Sequence, residues 1–406
     1  MHINGPRLLA QIETLAEIGR TETNACCRLA LTDEDKKGRD LVIGWMKDLG
    51  MSVSVDPVGN IFGERAGTCP ELAPIMTGSH TDTVRTGGAY DGNYGVLAGL
   101  EVVATLNEAN RNTERSIVVG IFTNEEGARF APDMLGSLVY VGGMPLDEAL
   151  AVKAIDGAIL GEELKRIGYQ GTAPLGVHKP HAFVELHIEQ GPLLDADNIK
   201  IGAVENLQGI SWQELTIVGQ SNHAGTTPMR LRHDAGYAAS AISTFVRDLT
   251  HKMGGNQVGT VGHIVLMPNL INVIAARATI TVDLRNTNEA LLQEAEQALK
   301  DFLEMLSKSE GVTISSRRLA RFEPVVFDAA LTDRIAHHAQ SLGLSHQLMT
   351  SGAGHDAQMM ARICPTSMIF VPSVGGISHN PAEHTEPQDL IAGANVLLAT
   401  LTELAN

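Results

Sequence analysis

At 406 residues with 44% hydrophobic content, the chain is long enough for two or three domains with ordinary cores. Its 47 acidic against 30 basic residues give a formal charge of −17 with no Lys/Arg cluster, which argues against nucleic acid or an anionic membrane as partner. Met1 to Ala10 is no basic-then-apolar leader, no apolar run reaches about 18 residues, and Cys26, Cys27, Cys69 and Cys364 lack CxxC spacing; the reading is a cytoplasmic protein with mostly buried, unbridged thiols and no structural zinc site.

The chain opens with helices over Arg7 to Glu17 and Asp33 to Leu49, then strands over Ser52 to Val55 and Asn60 to Glu64. Ile75-Met76-Thr77-Gly78-Ser79-His80-Thr81-Asp82 is an apolar run ending in small residues and a histidine, the way a buried strand carries a ligand at its carboxyl end. Asp82 can take the second ring hydrogen of His80. Asp91 follows in Tyr90-Asp91-Gly92-Asn93-Tyr94-Gly95, a glycine-rich turn before a helix over Val96 to Leu106. A carboxylate there can bridge two cations, which two-metal hydrolases hold about 3.5–4 Å apart. The strand Ser116 to Asn124 runs straight into Glu125-Glu126. Adjacent strand-end residues point to different sides, so one glutamate can bind metal while its neighbour acts as general base. Each piece alone has a plain alternative, a solvated Glu-Glu pair or a structural histidine, but the combination points to a two-metal hydrolase.

Asp133 to Lys179 is weakly patterned and carries some helix. In the strand from Ala182 to Pro192, the period of two puts Glu185 and His187 on one face with Glu189 beside them, making His187 a third-strand ligand. From Ser211 the rhythm becomes strand Trp212 to Val218, helix Asp234 to Lys252, strands Gln257 to Leu266 and Arg277 to Leu284, helix Asn288 to Leu306 and strand Val312 to Arg317. That order describes an inserted ferredoxin-like α+β domain. After Pro324 the first pattern resumes with helix Leu331 to Leu342, strand Ser367 to Val371 and helix Gln388 to Leu404. The fold class is α/β: a catalytic domain of residues 1–210 and 325–406 with a central mixed sheet flanked by helices, and an inserted lid of residues 211–324. His379 or His384, in the segment Gly375 to His384, is the last ligand candidate; His2, His178, His233 and His251 read as solvated. Arg285, ending its strand, either pairs with a neighbouring acid or clamps a substrate carboxylate in two hydrogen bonds. Residues 220–229, 269–272 and 350–357 are rich in small and polar groups, and the first and last also read as plain turns with helix caps.

The ordered segments GSHTDT, GGAYDGNYG, TNEEGARF, ELHIEQGP, SNHAGTTPM, SGAGHDA and GISHNPAE resemble the hydantoinase/carbamoylase family of amidases, from about residue 7 to the carboxyl end. That family includes N-carbamoyl-L-amino-acid hydrolases, allantoate amidohydrolases and β-ureidopropionases, with dinuclear aminoacylase-like and carboxypeptidase-like metallopeptidases as wider relatives. The resemblance implies two divalent ions per subunit (zinc, or manganese, cobalt or nickel) and a lid that also forms a homodimer. It assigns His80 and His187 to one ion, Glu126 and His379 to the other, Asp91 as the bridge and Glu125 as the base. His187 stands where the peptidase relatives carry a carboxylate. Substrate contacts carried over are Gln190, His223, Asn272, Arg285, Gly354 and His355, the two histidines also stabilising the transition state. His223 and Asn272 are implied to reach the partner subunit's site. The expected reaction is hydrolysis of the ureido bond of an N-carbamoyl-L-amino acid, with allantoate or N-carbamoyl-β-alanine as alternative substrates. A non-catalytic dimeric binding protein that kept the pocket is the contrasting reading.

Overall fold

The computed structural model describes residues 1–406 and divides into two compact units, Met1–Glu205 with Phe327–Asn406, and Asn206–Val326. The strands are β1 (Ser52–Val55), β2 (Ile61–Arg65), β3 (Ile75–His80), β4 (Ile117–Phe122), β5 (Ala182–Ile188) and β6 (Ile201–Leu207). Next come β7 (Gly209–Val218), β8 (Val258–Met267), β9 (Arg277–Asn286) and β10 (Thr313–Phe322). The chain returns through β11 (Val325–Val326), β12 (His346–Ser351) and β13 (Thr366–Val371).

In the first unit the sheet runs β1-β2-β4-β3-β5-β13-β6, with β12 also paired to β6. Its centre, β4-β3-β5-β13, is parallel, and the flanking pairs β2 with β4 and β6 with β13 are antiparallel. Every residue of β3, β4, β5 and β13 is buried, as expected of parallel strands covered on both faces. His80 pairs in register with Phe122, and His187 with Phe370, so the carboxyl ends of the four strands finish along one edge. That edge is where an open α/β sheet binds its ligands. The helix Asn93–Glu108 crosses from β3 to β4 and is buried from Asn93 to Leu106. Side-chain N-caps at Asn4, Thr32 and Asp328 open three other helices of this unit by accepting orphan backbone N–H groups.

Sequence patterning missed β6, β11, β12 and the helix Leu193–Asp197. Ile201-Gly202-Ala203-Val204 is buried throughout, with small Gly202 and Ala203 between its two β-branched ends, so no alternation marks β6. The weakly patterned stretch holds three short helices, Leu135–Tyr140, Leu146–Leu150 and Leu160–Ile167. All four cysteines are free; Cys26 and Cys364 are buried, Cys27 and Cys69 half-buried. His178 and His233 are half-buried rather than solvated: His178 stacks edge-on to Phe62, and the His233 Nδ1 donates to the Glu310 carbonyl. No helix is long and apolar enough to cross a membrane.

Arg28, fully buried, ties the amino-terminal segment to this framework without a carboxylate partner. Its Nε donates to the Thr81 carbonyl (3.1 Å), Nη1 to the carbonyls of Leu15 and Ile18 (2.9 and 2.8 Å), and Nη2 to Asn93 Oδ1 (2.7 Å). Arg28→Met strands those acceptors, and the expected cost is about 1–3 kcal/mol, read as a fall in the denaturation midpoint. An unchanged midpoint contradicts that role.

The second unit is β7, helix Ala235–Met253, β8, β9, helix Glu289–Glu310 and β10, with antiparallel sheet order β10-β7-β9-β8. This is the ferredoxin-like order. Both helices cover one face, where Ile242, Val246, Leu292 and Leu299 meet Leu215, Ile280, Val282 and Leu284. Phe245 and Phe302 stack at 4.1 Å between the two helices. On β9 the alternation puts Asp283 and Arg285 on the other, helix-free face.

Candidate metal centre

β3 ends on His80, whose Nδ1 donates to the Asp82 backbone carbonyl at 2.9 Å; β5 carries His187, whose Nδ1 donates to the Ile188 carbonyl at 2.8 Å. A carbonyl only accepts, so each ring carries its hydrogen on Nδ1 and presents the Nε2 lone pair. Both Nε2 atoms lie near Asp91 Oδ1, at 3.6 Å from His80 and 3.2 Å from His187, and the His187 Nε2 accepts the Gly92 N–H at 3.1 Å. The other oxygen, Oδ2, lies 3.2 Å from His379 Nε2, which is 3.3 Å from Glu126 Oε2. Asp91 thus offers one oxygen to each histidine set. The turn that presents it requires glycine next: Gly92 has φ +65°, and a Cβ there would fall 2.4 Å from the His80 ring.

Glu125 and Glu126 are not the last residues of a strand. β4 stops at Phe122, and Asn124 (φ +57°) turns the chain while its Nδ2 donates to the Phe130 carbonyl at 2.8 Å. A loop, rather than strand alternation, therefore separates the two side chains: Glu125 Oε2 sits 3.4 Å from His80 Nε2, and Glu126 turns to His379. Asp82 also differs from its expected role. Its carboxylate does not reach the His80 ring, because its two oxygens accept the N–H groups of Glu125 and Glu126, each at 3.3 Å. Only its backbone carbonyl holds the ring. Glu189 leaves the cluster to cap the helix Leu193–Asp197, accepting from Leu193 and Leu194 N–H (2.8 Å each). His384 stays outside as well, its Nε2 3.6 Å from Glu386.

His80, Asp91 and His187 form one possible cation-binding set, and Asp91, Glu126 and His379 a second, with the ligand atoms of each set within 4.8 Å of one another. The ion pairs of Asp91, Glu125 and Glu126 are all to histidine; no lysine or arginine neutralises them. Burial, then the Asp356, Glu126, Asp91 and Asp82 carboxylates, push the Glu125 pKa well above the usual range. Burial lowers His80 to about 4, whereas hydrogen bonds to Asp91 and Glu126 raise His379 to about 11. An acid-rich donor set, buried at His80, Asp91 and His187 and open to solvent at His379, fits two divalent cations sharing Asp91.

Comparison with known proteins supplies the family. Residues 76–403 match the model for peptidase family M20/M25/M40. An N-carbamoyl-L-amino-acid amidohydrolase of Rhizobium meliloti is 41% identical over 403 residues, spanning 99% of this chain and 97% of the relative. The chain belongs to the M20 peptidase family. Within it, a hydantoinase/carbamoylase family amidase from Burkholderia multivorans has the same structure at a TM-score of 0.96 and 44% identity, covering 100% of this chain and 98% of that one. A ureidoglycolate hydrolase of Arabidopsis thaliana is 33% identical over 416 residues, covering 100% of this chain and 87% of the relative. The motif-based resemblance and the α/β fold with its central mixed sheet therefore hold, and this M20 member is a hydrolase acting on carbon–nitrogen bonds. M20 peptidases are metal-dependent.

Around the shared aspartate of this M20 enzyme stand groups that patterning identified only in part. Gln190 Nε2 donates to Asp91 Oδ2 at 2.9 Å. His355 is buried with its ring centroid 4.5 Å from that of His187, and its Nε2 is 3.1 Å from Ser351 Oγ. Gly354, beside it, packs so closely on Met134 that a Cβ would lie 3.0 Å from Met134 Cε. Glu185, on the His187 strand, accepts from Ser79 Oγ (2.7 Å) and Ala357 N–H (2.8 Å), and with His187 and His355 it makes a third, fully buried group of donors within 4.8 Å of one another. Glu383, buried between two loops, had no signal beyond its place in the GISHNPAE segment.

In the second unit, His223 and Asn272 lie on paired segments, with Ala224 N–H donating to the Asn272 carbonyl (2.9 Å). His223 Nδ1 accepts from Gly225 N–H (3.0 Å), which leaves its hydrogen on an exposed Nε2. Arg285 is held by Asp283 through Nε and Nη2, over the Trp212 ring. The two sets lie at opposite ends of β9. His223 and Asn272 sit beyond the Arg277 end, and Arg285 comes eight residues later, roughly 26 Å along the strand.

Proposed function

We propose that this M20 hydrolase cleaves the ureido bond of N-carbamoyl-L-amino acids, releasing amino acid, ammonia and carbon dioxide. The observation that carries the reading is Asp91, with one carboxylate oxygen toward His80 and His187 and the other toward His379 and Glu126. His80 and His187 would hold one divalent ion, Glu126 and His379 the other, and Asp91 both. Mixed imidazole and carboxylate ligation suits zinc, manganese, cobalt or nickel. When bound, such a pair polarises a poorly electrophilic carbonyl and makes water acidic near neutral pH.

The chain's own groups do the rest. Glu125 takes the proton of the attacking water and returns it to the departing nitrogen. The Nε2–H of His223 donates to the developing oxyanion, an interaction worth about 2.7–4 kcal/mol, and His355 stands beside His187 for the same purpose. Arg285, its plane fixed by Asp283 and Trp212, grips the substrate α-carboxylate; Gln190, Asn272 and Gly354 complete the contacts. An intact Glu125 beside His80 argues against a merely binding protein. Arg285→Lys is expected to raise KM about 10–100-fold, since an ammonium cannot reproduce the paired hydrogen bonds. Equal efficiency on a substrate and its amide removes Arg285 from this role.

The second unit supports a homodimer. β8 is an edge strand with exposed Ile264, Val265 and Met267, followed by exposed Leu270 and Ile271, and such an edge is a template for another copy. Substrate choice is tested by ammonia release from N-carbamoyl-L-amino acids, allantoate, N-carbamoyl-β-alanine and ureidoglycolate, with manganese and zinc compared. The Arabidopsis relative makes ureidoglycolate the rival substrate. Turnover of it, or of allantoate, in preference to the carbamoyl amino acids overturns the first choice.

A further inference from the structure

His379 hangs from an exposed loop: its side chain is 51% exposed and its backbone is left-handed at φ +53°. Asp91, which it faces, is in a separate turn nearly three hundred residues earlier in the chain. Two ions sharing Asp91 demand that both loops keep a fixed distance, yet neither is part of the sheet.

We infer that Glu383 is the positioning residue that locks these two loops together, so that Asp91 and His379 stay in register for the metal pair. Its Oε1 accepts the backbone N–H of Tyr90 and of Asp91, at 3.2 and 3.3 Å, and its Oε2 accepts from Ser378 Oγ at 2.8 Å. One carboxylate thereby spans the residue before His379 and the peptide of Asp91 itself. The loop bearing Glu383 is internally braced, with Glu383 N–H on the Asn380 carbonyl and Ala382 N–H on Asn380 Oδ1, each at 2.9 Å. Thr86 Oγ1 adds a second tie by donating to the His379 carbonyl at 3.0 Å. The fit is tight enough to fix a neighbour's identity: a Cβ on Gly88 would lie 2.3 Å from Glu383 Oε1 and 2.5 Å from its Cβ. Gly88 is glycine because Glu383 occupies that space.

Glu383 acts here through geometry rather than charge. Glutamine can reproduce the arrangement, its amide oxygen accepting from Tyr90 and Asp91 and its NH₂ donating to the Ser378 oxygen. Alanine cannot, and alanine at position 88 displaces the carboxylate while leaving every titratable group in the protein.

The inference rests on the metal-centre reading above, and the experiment separates the two. Manganese and zinc binding to full-length wild type, Glu383→Ala, Glu383→Gln and Gly88→Ala is measured by competition with a chromophoric chelator, alongside thermal midpoints. Glu383→Ala and Gly88→Ala should each weaken at least one ion about 10–100-fold, the usual effect of removing a ligand's support, while Glu383→Gln stays near wild type. Gly88→Ala carries the test if Glu383→Ala does not fold. Wild-type affinity in Glu383→Ala or in Gly88→Ala overturns the inference, and so does a Glu383→Gln as weak as Glu383→Ala, because charge would then be what matters. A wild type that binds neither metal overturns the metal-centre reading and this inference with it.

Discussion

Glu125→Gln is expected to bind both metal ions as wild type does and to turn over substrate about 10²–10⁴-fold more slowly, the range for loss of a positioned general base. Glu125 lies beside His80 but belongs to neither donor set around Asp91, so its amide should leave the cation ligands in place. Asp91→Asn gives the contrasting result, loss of metal together with loss of activity, because each of its oxygens serves one histidine set. Metal content and kcat of the two purified variants decide the assignment. Substantial turnover by Glu125→Gln, or loss of its metal, defeats the role of Glu125.

The second expected result comes from the distance between Arg285 and the His223/Asn272 pair. Some 26 Å of β9 separates them, far more than a ureido acid spans, so one copy of the second unit cannot bring both to one substrate. In the proposed homodimer each site then draws on both chains. Glu125→Gln and His223→Ala homodimers are each inactive, but a mixed dimer holds one site with both groups intact. Random exchange makes half the dimers mixed and half of their sites whole, so mixing should restore about a quarter of wild-type activity. Exchange demonstrated by mass spectrometry without recovered activity rules out His223 acting from the partner chain.

What could be read in advance follows from how local each cause is. His80 and His187 were legible because a buried strand announces itself by composition and its carboxyl end has a fixed role in a parallel sheet. Asp91 was legible because Gly92 marks a turn that only glycine tolerates. The separation of Glu125 from Glu126 was read correctly as a difference of direction but for the wrong reason, since Asn124 and the Asp82 carboxylate arrange it through a loop. Asp82 illustrates the limit: local spacing allowed a bond to His80, yet partners more than forty residues away took its oxygens. Glu383 and β6 were invisible because what defines them is burial against distant chain, which no window of sequence contains.

The position of β13 has a consequence for synthesis. It lies between β5 and β6, yet its residues, Thr366–Val371, follow the whole second unit in the chain. As the polypeptide leaves the ribosome, the second unit is contiguous and can close on its own, whereas β5, the strand bearing His187, still has one edge unpaired. Some one hundred and eighty residues must be translated between β5 and the strand that covers it. During that interval the nascent chain presents an apolar edge of the kind that pairs with neighbouring chains. The His187 side of the cluster is therefore among the last parts of the molecule to be sealed.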